Sequence, residues 1–155
     1  MSVSFSLNGD SVVVEAEPRE LFADVLRDRL GMTGTHVACE QGACGTCTVL
    51  VDGQAVRSCL LFAPQLEGCT VTSIEGVGSP GSLHPIQAAL SEHHGLQCGF
   101  CTPGVVLTAI ELLETEPDPD RETIERWMSG NLCRCTGYTG IVDAIAAVAA
   151  QRSAQ

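Results

Sequence analysis

The sequence contains no lysine. All eight of its basic residues are arginine, set against 19 aspartates and glutamates for a formal net charge of −11. Schiff-base chemistry and a P-loop, both of which need a lysine amine, are excluded at once. An acidic chain offers no basic face to a phosphate backbone, and aromatics at 4% supply no stacking platform for bases. No run of roughly 18 apolar residues is present to span a membrane. The opening MSVSFSLNGD has neither the basic nor the apolar region of a secretory signal, so a cytoplasmic location is expected. With 45% hydrophobic and only 17% charged residues, the chain is too apolar to stay disordered. Its 155 residues suffice for one ordinary domain or two small ones.

What is in excess is cysteine. There are nine, an odd number that does not close into disulfides alone, and in a reducing compartment such usage reads as metal binding or redox chemistry. The first half of the chain reads as β-rich. Val3, Phe5 and Leu7 alternate with serines, Asn8-Gly9 is a hairpin turn, and Val12, Val13 and Val14 return. After Pro18, Leu21, Phe22, Val25, Leu26 and Leu30 fall on one helical face that Gly31 ends. Residues 46–51 read as a strand, Asp52-Gly53 as a second hairpin turn, 54–60 as its return and 69–75 as a closing strand. One helix covering such a sheet is a small α+β domain.

Residues 76–82, GVGSPGS, form a turn-rich uncharged stretch, and everything after it reads as helix. Pro85 opens one helix to about His93, and Pro103 opens another that Pro117 and Pro119 break. Asp120 caps a third that ends at Gly130, and a fourth runs from about Gly140 to Ala150. The expected organisation is a first domain over 1–76, a linker over 77–82 and a small four-helix bundle over 83–155. Halves of this size bury little core and need a staple, for which a metal serves.

Eight of the cysteines divide into two sets. Cys39, Cys44 and Cys47, in CEQGACGTC, with the distant Cys59, have the C-x4-C-x2-C spacing of a plant-type [2Fe–2S] site. Gly42 and Gly45 let the backbone curl so that amide N–H groups point at sulfur. Cys98 and Cys101, in QCGFCTPG, and Cys133 and Cys135, in NLCRCTG, form the second set, separated by 31 residues, about one helical hairpin. Pro103 and Gly104 put Cys101 near a helix N-terminus, where the dipole favours thiolate. Spacing alone leaves structural zinc open for either set, and more so for the second. Cys69, the ninth, is expected to be a small buried hydrophobe in a strand. His36, His84, His93 and His94 lack the spacing of a Rieske site and are expected on the surface or as caps. Arg134, between two cysteines, either offsets a negative centre or pairs with an acid elsewhere, and Trp127 is expected to pack the bundle.

Taken together, CEQGACGTC, QCGFCTPG and GNLCRCTGY resemble the iron–sulfur subunit of the xanthine dehydrogenase, aldehyde oxidase and carbon monoxide dehydrogenase family of molybdenum hydroxylases. The resemblance runs from the first strand to the last helix, with no departure at any of the eight cysteine positions. It implies an α+β chain, with an N-terminal β-grasp plant-type ferredoxin domain followed by an all-α four-helix-bundle domain. Each would hold one [2Fe–2S] cluster, the first on Cys39, Cys44, Cys47 and Cys59 and the second on Cys98, Cys101, Cys133 and Cys135. It implies electron transfer from a molybdopterin centre in a large partner subunit, through the second and then the first cluster, to FAD in a medium one. The whole is expected to be a heterotrimer that dimerises. Gln97 and Cys135 would face the molybdopterin; otherwise Gln97 caps a helix or binds backbone. No substrate turnover is expected of this chain alone. A free-standing ferredoxin-like carrier would explain only the first set, and a zinc-stabilised interaction module would give both sets a purely structural role.

Overall fold

A computed structural model describes residues 1–154. It is a mixed α/β structure with one five-stranded sheet and five helices. Strands β1 (Ser2–Leu7) and β2 (Asp10–Glu15) form the first hairpin. Asn8 and Gly9 both take positive φ, 53° and 93°, as the tight turn between strands requires. Val3, Phe5 and Leu7 are buried while the intervening serines face outward. Strands β3 (Thr48–Val51) and β4 (Gln54–Arg57) form the second hairpin about Asp52 (φ 51°) and Gly53 (φ 84°). Strand β5 (Thr70–Thr72) closes the sheet in the order β2-β1-β5-β3-β4, parallel to β1 and antiparallel to β3.

The sheet is covered on both faces, and strand β3 records it. Val49 packs with Phe5, Phe22, Leu26 and Val71 in one core, whereas its neighbour Leu50 joins a second core built of helical residues. The first cover is helix α1 (Phe22–Asp24), which runs straight into a π turn over Val25–Arg29. Phe22 meets Phe5 edge-on at 5.6 Å. The expected helix after Pro18 thus starts later, at Phe22, and is widened before Gly31 ends it.

The second cover consists of α2 (Pro85–Glu92), α3 (Thr102–Thr115), α4 (Arg121–Met128) and α5 (Tyr138–Ser153). Each helix expected in this half is present. Asp120 caps α4, its carboxylate accepting from the Thr123 amide at 2.8 Å. The 76–82 stretch is ordered by its contacts: Ser79 and Ser82 exchange backbone hydrogen bonds, Val77 is buried, and the Val77 carbonyl accepts from Gln87 Nε2. Two sequence expectations shift. The closing strand is only three residues long, so Cys69 sits just ahead of it and is half-buried. Strand β4 stops at Arg57, and Ser58–Leu60 form a 3-10 turn. Among the described residues no helix is long and apolar enough to cross a membrane.

Candidate metal centres

The first cysteine set is assembled by a loop and a returning turn. Between Cys39 and Cys47 the backbone reverses through Glu40 (φ 54°), Gly42 (φ 78°) and Gly45 (φ 78°), which only glycine adopts freely at the last two. A Cβ on Gly42 would strike the Leu60 side chain, and one on Gly45 the Gly130 carbonyl. The curl aims amides at sulfur: the Cys44 N–H donates to Cys39 Sγ at 3.4 Å. The Gln41 amide, then the Cys44 thiol and amide, hold the Cys39 thiol down at about 6. Cys59 lies in the 3-10 turn rather than on the return strand. Ser58 brings it back, its amide and hydroxyl both donating to the Cys47 carbonyl, at 3.2 and 2.7 Å. Burial, followed by the neighbouring Cys47 thiol, pushes Cys59 up to about 11.

The second set gathers at the ends of two helices. Cys101 is the N-cap of α3, as Pro103 and Gly104 foretold. The expected dipole-favoured thiolate is nevertheless overridden. Burial, with the Cys133 thiol beside it, pushes Cys101 up to about 12. Cys98 is exposed and lies below its ordinary value, first because the Phe100 amide donates to it and then because the Cys135 thiol is adjacent. The Gly137 N–H donates to Cys133 Sγ at 3.4 Å, and the Cys133 N–H to the Tyr138 hydroxyl at 2.9 Å. Gln97 donates from Nε2 to the Cys135 carbonyl at 2.9 Å, an acceptor shared with Thr136 Oγ1 at 2.7 Å. Gln97 therefore binds backbone with its nitrogen.

Within each set the nearest thiol neighbours are Cys39 with Cys44, Cys47 with Cys59, Cys98 with Cys135, and Cys101 with Cys133, while Cys39 also lies near Cys59 and Cys98 near Cys101. Among the described residues no three His, Cys, Asp or Glu side chains converge on a single ion position. A tetrahedral zinc draws four ligands to one point, whereas a four-cysteine [2Fe–2S] cluster takes two thiolates on each of two irons. The donor set, its pairing and the inward amides fit the binuclear cluster.

The two sets adjoin. A cleft of about 280 Å³ is lined by Cys39 and Cys44 from one and by Cys98, Cys101 and Cys133 from the other. Backbone meets backbone here: the Leu132 N–H donates to the Cys44 carbonyl at 2.9 Å. Arg57 spans the same seam, donating to Thr48 Oγ1 and, at 2.9 Å, to the Gly130 carbonyl. Arg134 lines the cleft and makes no ion pair among the described residues. His84 caps α2, and His93 and His94 are exposed at its end. His36 does more than expected: it contacts Phe100, between Cys98 and Cys101. The 64 residues separating the two leave no local signal of that contact.

Comparison with known proteins finds relatives over most of the chain. A family model described as 2Fe-2S iron-sulfur cluster binding domain matches residues 5–73, and one described as [2Fe-2S] binding domain matches 73–146. The chain is 47% identical to the nicotine 6-hydroxylase small subunit of Paenarthrobacter nicotinovorans, over 94% of this chain and 87% of that one. It is 46% identical to the caffeine dehydrogenase subunit gamma of Pseudomonas sp. (strain CBB1), over 94% and 89%. Among solved structures, quinoline 2-oxidoreductase from Pseudomonas putida 86 superposes with a TM-score of 0.94 at 47% identity, covering 99% of this chain and 96% of that one. The aldehyde oxidoreductase from Desulfovibrio gigas superposes at 0.95 and 43%, but there this chain covers 17% of a longer polypeptide.

Proposed function

Because this chain belongs to the family of iron–sulfur subunits of the molybdenum hydroxylases, we propose that its eight paired cysteines ligate two [2Fe–2S] clusters that conduct electrons within such an enzyme. Cys39, Cys44, Cys47 and Cys59 hold the first, and Cys98, Cys101, Cys133 and Cys135 the second. A β-grasp unit over 1–76 carries the former and a four-helix unit over 83–155 the latter, joined by 77–82. The strand order β2-β1-β5-β3-β4, with its parallel β1–β5 pair, supports that division, as does the meeting of the two family matches at residue 73.

The observation that carries the reading is the two-by-two pairing of thiols in each set, with the sets abutting at Cys44 and Leu132. When bound, each cluster stores one electron. The chain's own part is ligation, burial and amide hydrogen bonding to sulfur, which set where the electron rests. The exposed edge of the second set, Gln97 and Cys98 with the half-buried Cys135, is the side turned to a large molybdopterin-holding subunit. Gln97 spends its nitrogen on the Cys135 carbonyl, which leaves its oxygen to accept from the pterin, with Cys135 beside it. A medium FAD-holding subunit completes a heterotrimer that dimerises. Thiols kept free for ligation suit a reducing compartment, and a cytoplasmic assembly is part of this proposal.

Low-temperature electron paramagnetic resonance of the dithionite-reduced protein tests this, with iron and acid-labile sulfide quantified. Two distinct [2Fe–2S] signals are expected. Cys44→Ala should remove one and Cys101→Ala the other. Stoichiometric zinc in place of iron, or loss of both signals together in a folded single variant, would overturn the assignment.

A further inference from the structure

His36 stands on a strap held by three hydrogen bonds. Arg27 Nη1 donates to the Thr33 and Thr35 carbonyls at 2.9 and 2.8 Å, and the Gly34 N–H donates to Glu75 at 2.8 Å. Glu75 is itself held by Ser73 Oγ at 2.6 Å. From this strap, three residues ahead of Cys39, the imidazole reaches across to the other cysteine set. Its ring stacks on Phe100, with centroids 4.6 Å apart and planes at 15°. Its Nδ1 lies 2.7 Å from the Phe100 carbonyl oxygen. A carbonyl cannot donate, so Nδ1 carries the proton and is the donor.

Phe100 occupies the loop between Cys98 and Cys101, and its own N–H points at Cys98 Sγ. The peptide that follows has the carbonyl bound by His36 at one end and the N–H of Cys101 at the other. A hydrogen bond on that carbonyl polarises the peptide and makes its N–H end, at Cys101, more positive. Positive amide ends beside a ligand sulfur stabilise the reduced cluster and raise its potential.

We propose that His36 is a positioning residue of the second centre: it ties the Cys98–Cys101 loop to the Cys39 strap and polarises the Phe100–Cys101 peptide, whose N–H end lies at the ligand Cys101. The inference rests on the ligand assignment above. Two effects are combined in one side chain, the stack and the donated bond, and substitutions separate them. Asparagine keeps an N–H donor without the ring, and phenylalanine keeps the ring without the donor.

The test is a redox titration of the cluster-loaded protein followed by electron paramagnetic resonance, which reads each centre separately. In His36→Ala the second centre's midpoint should move to more negative potential, while the first centre moves less. His36→Asn should restore the second midpoint toward wild type, and His36→Phe should not. An unmoved second midpoint in His36→Ala, or restoration by phenylalanine as complete as by asparagine, would overturn the role. Should the alanine variant fail to fold, the contrast between asparagine and phenylalanine decides alone. Failure of the underlying assignment is distinct, because the wild type would then lack a second [2Fe–2S] signal altogether.

Discussion

Cys39 and Cys98 lie toward the surface and are held low first by backbone amides, those of Gln41 and Phe100 respectively, whereas Cys59 and Cys101 are pushed up by burial. Each set thus joins a thiol that loses its proton more readily to one that holds it more tightly. The spacing of the eight cysteines into two sets is plain in the sequence. What spacing hides is the polar support around them, because it arrives from distant segments. Gln97 is an instance. Its bond to Cys135 crosses 38 residues, and no local rule selects carbonyl binding over helix capping. Gln97→Ala removes one of the two donors on the Cys135 carbonyl and the oxygen proposed to face the pterin. In the assembled enzyme, stopped-flow reduction of the second centre by substrate should slow several-fold, while its reoxidation through the flavin side holds. Equal slowing on both sides would count against the outward placement.

At the scale of elements, the two hairpins announced themselves because Asn8-Gly9 and Asp52-Gly53 supply the positive φ that tight turns require. The π turn over Val25–Arg29 and the 3-10 turn carrying Cys59 did not, since either keeps the apolar spacing of an ordinary helix or strand over so few residues. Helix α2 shows how a cap can be more than a boundary mark. His84 Nδ1 accepts from the Ile86 N–H at 3.2 Å, which only the unprotonated nitrogen can do, and Gln87 returns an acceptor to the His84 amide. Burial, and then the charge of Arg152, hold this imidazole below its ordinary value against the opposing pull of Glu114. The unfolded chain therefore takes up this proton first as the pH falls. The contribution of His84 to stability is complete above its unfolded value near 6.5 and is lost as the pH drops from there through the lower folded value. Melting temperatures taken between pH 7.5 and 5.5 should fall less in His84→Asn, whose cap does not titrate, than in the wild type. Parallel falls would mean that His84 does not carry the pH dependence.

Across the whole molecule, the two centres are held together by main chain rather than by side-chain packing alone. The Cys44 carbonyl receives the Leu132 N–H, Arg57 reaches the Gly130 carbonyl, and Gly104 of α3 lies so close to the Gly45 carbonyl that a Cβ there would collide with it. A flexible side chain can move aside, but a carbonyl in the ligand loop cannot do so without moving the loop. Gly104 reads in the sequence only as part of a helix start, because its reason lies in a loop far ahead of it in the chain. Gly104→Ala must therefore open the seam between the two centres, at a cost of about 1–3 kcal/mol for overpacking. Because the cysteines of both sets are retained, both clusters should still assemble, with two [2Fe–2S] signals in the reduced protein. Their mutual magnetic broadening, which weakens with separation, should diminish, and the melting temperature should fall. A variant that melts like the wild type with undiminished broadening would show that the seam yields elsewhere, and that Gly104 does not set the distance an electron crosses between the two centres.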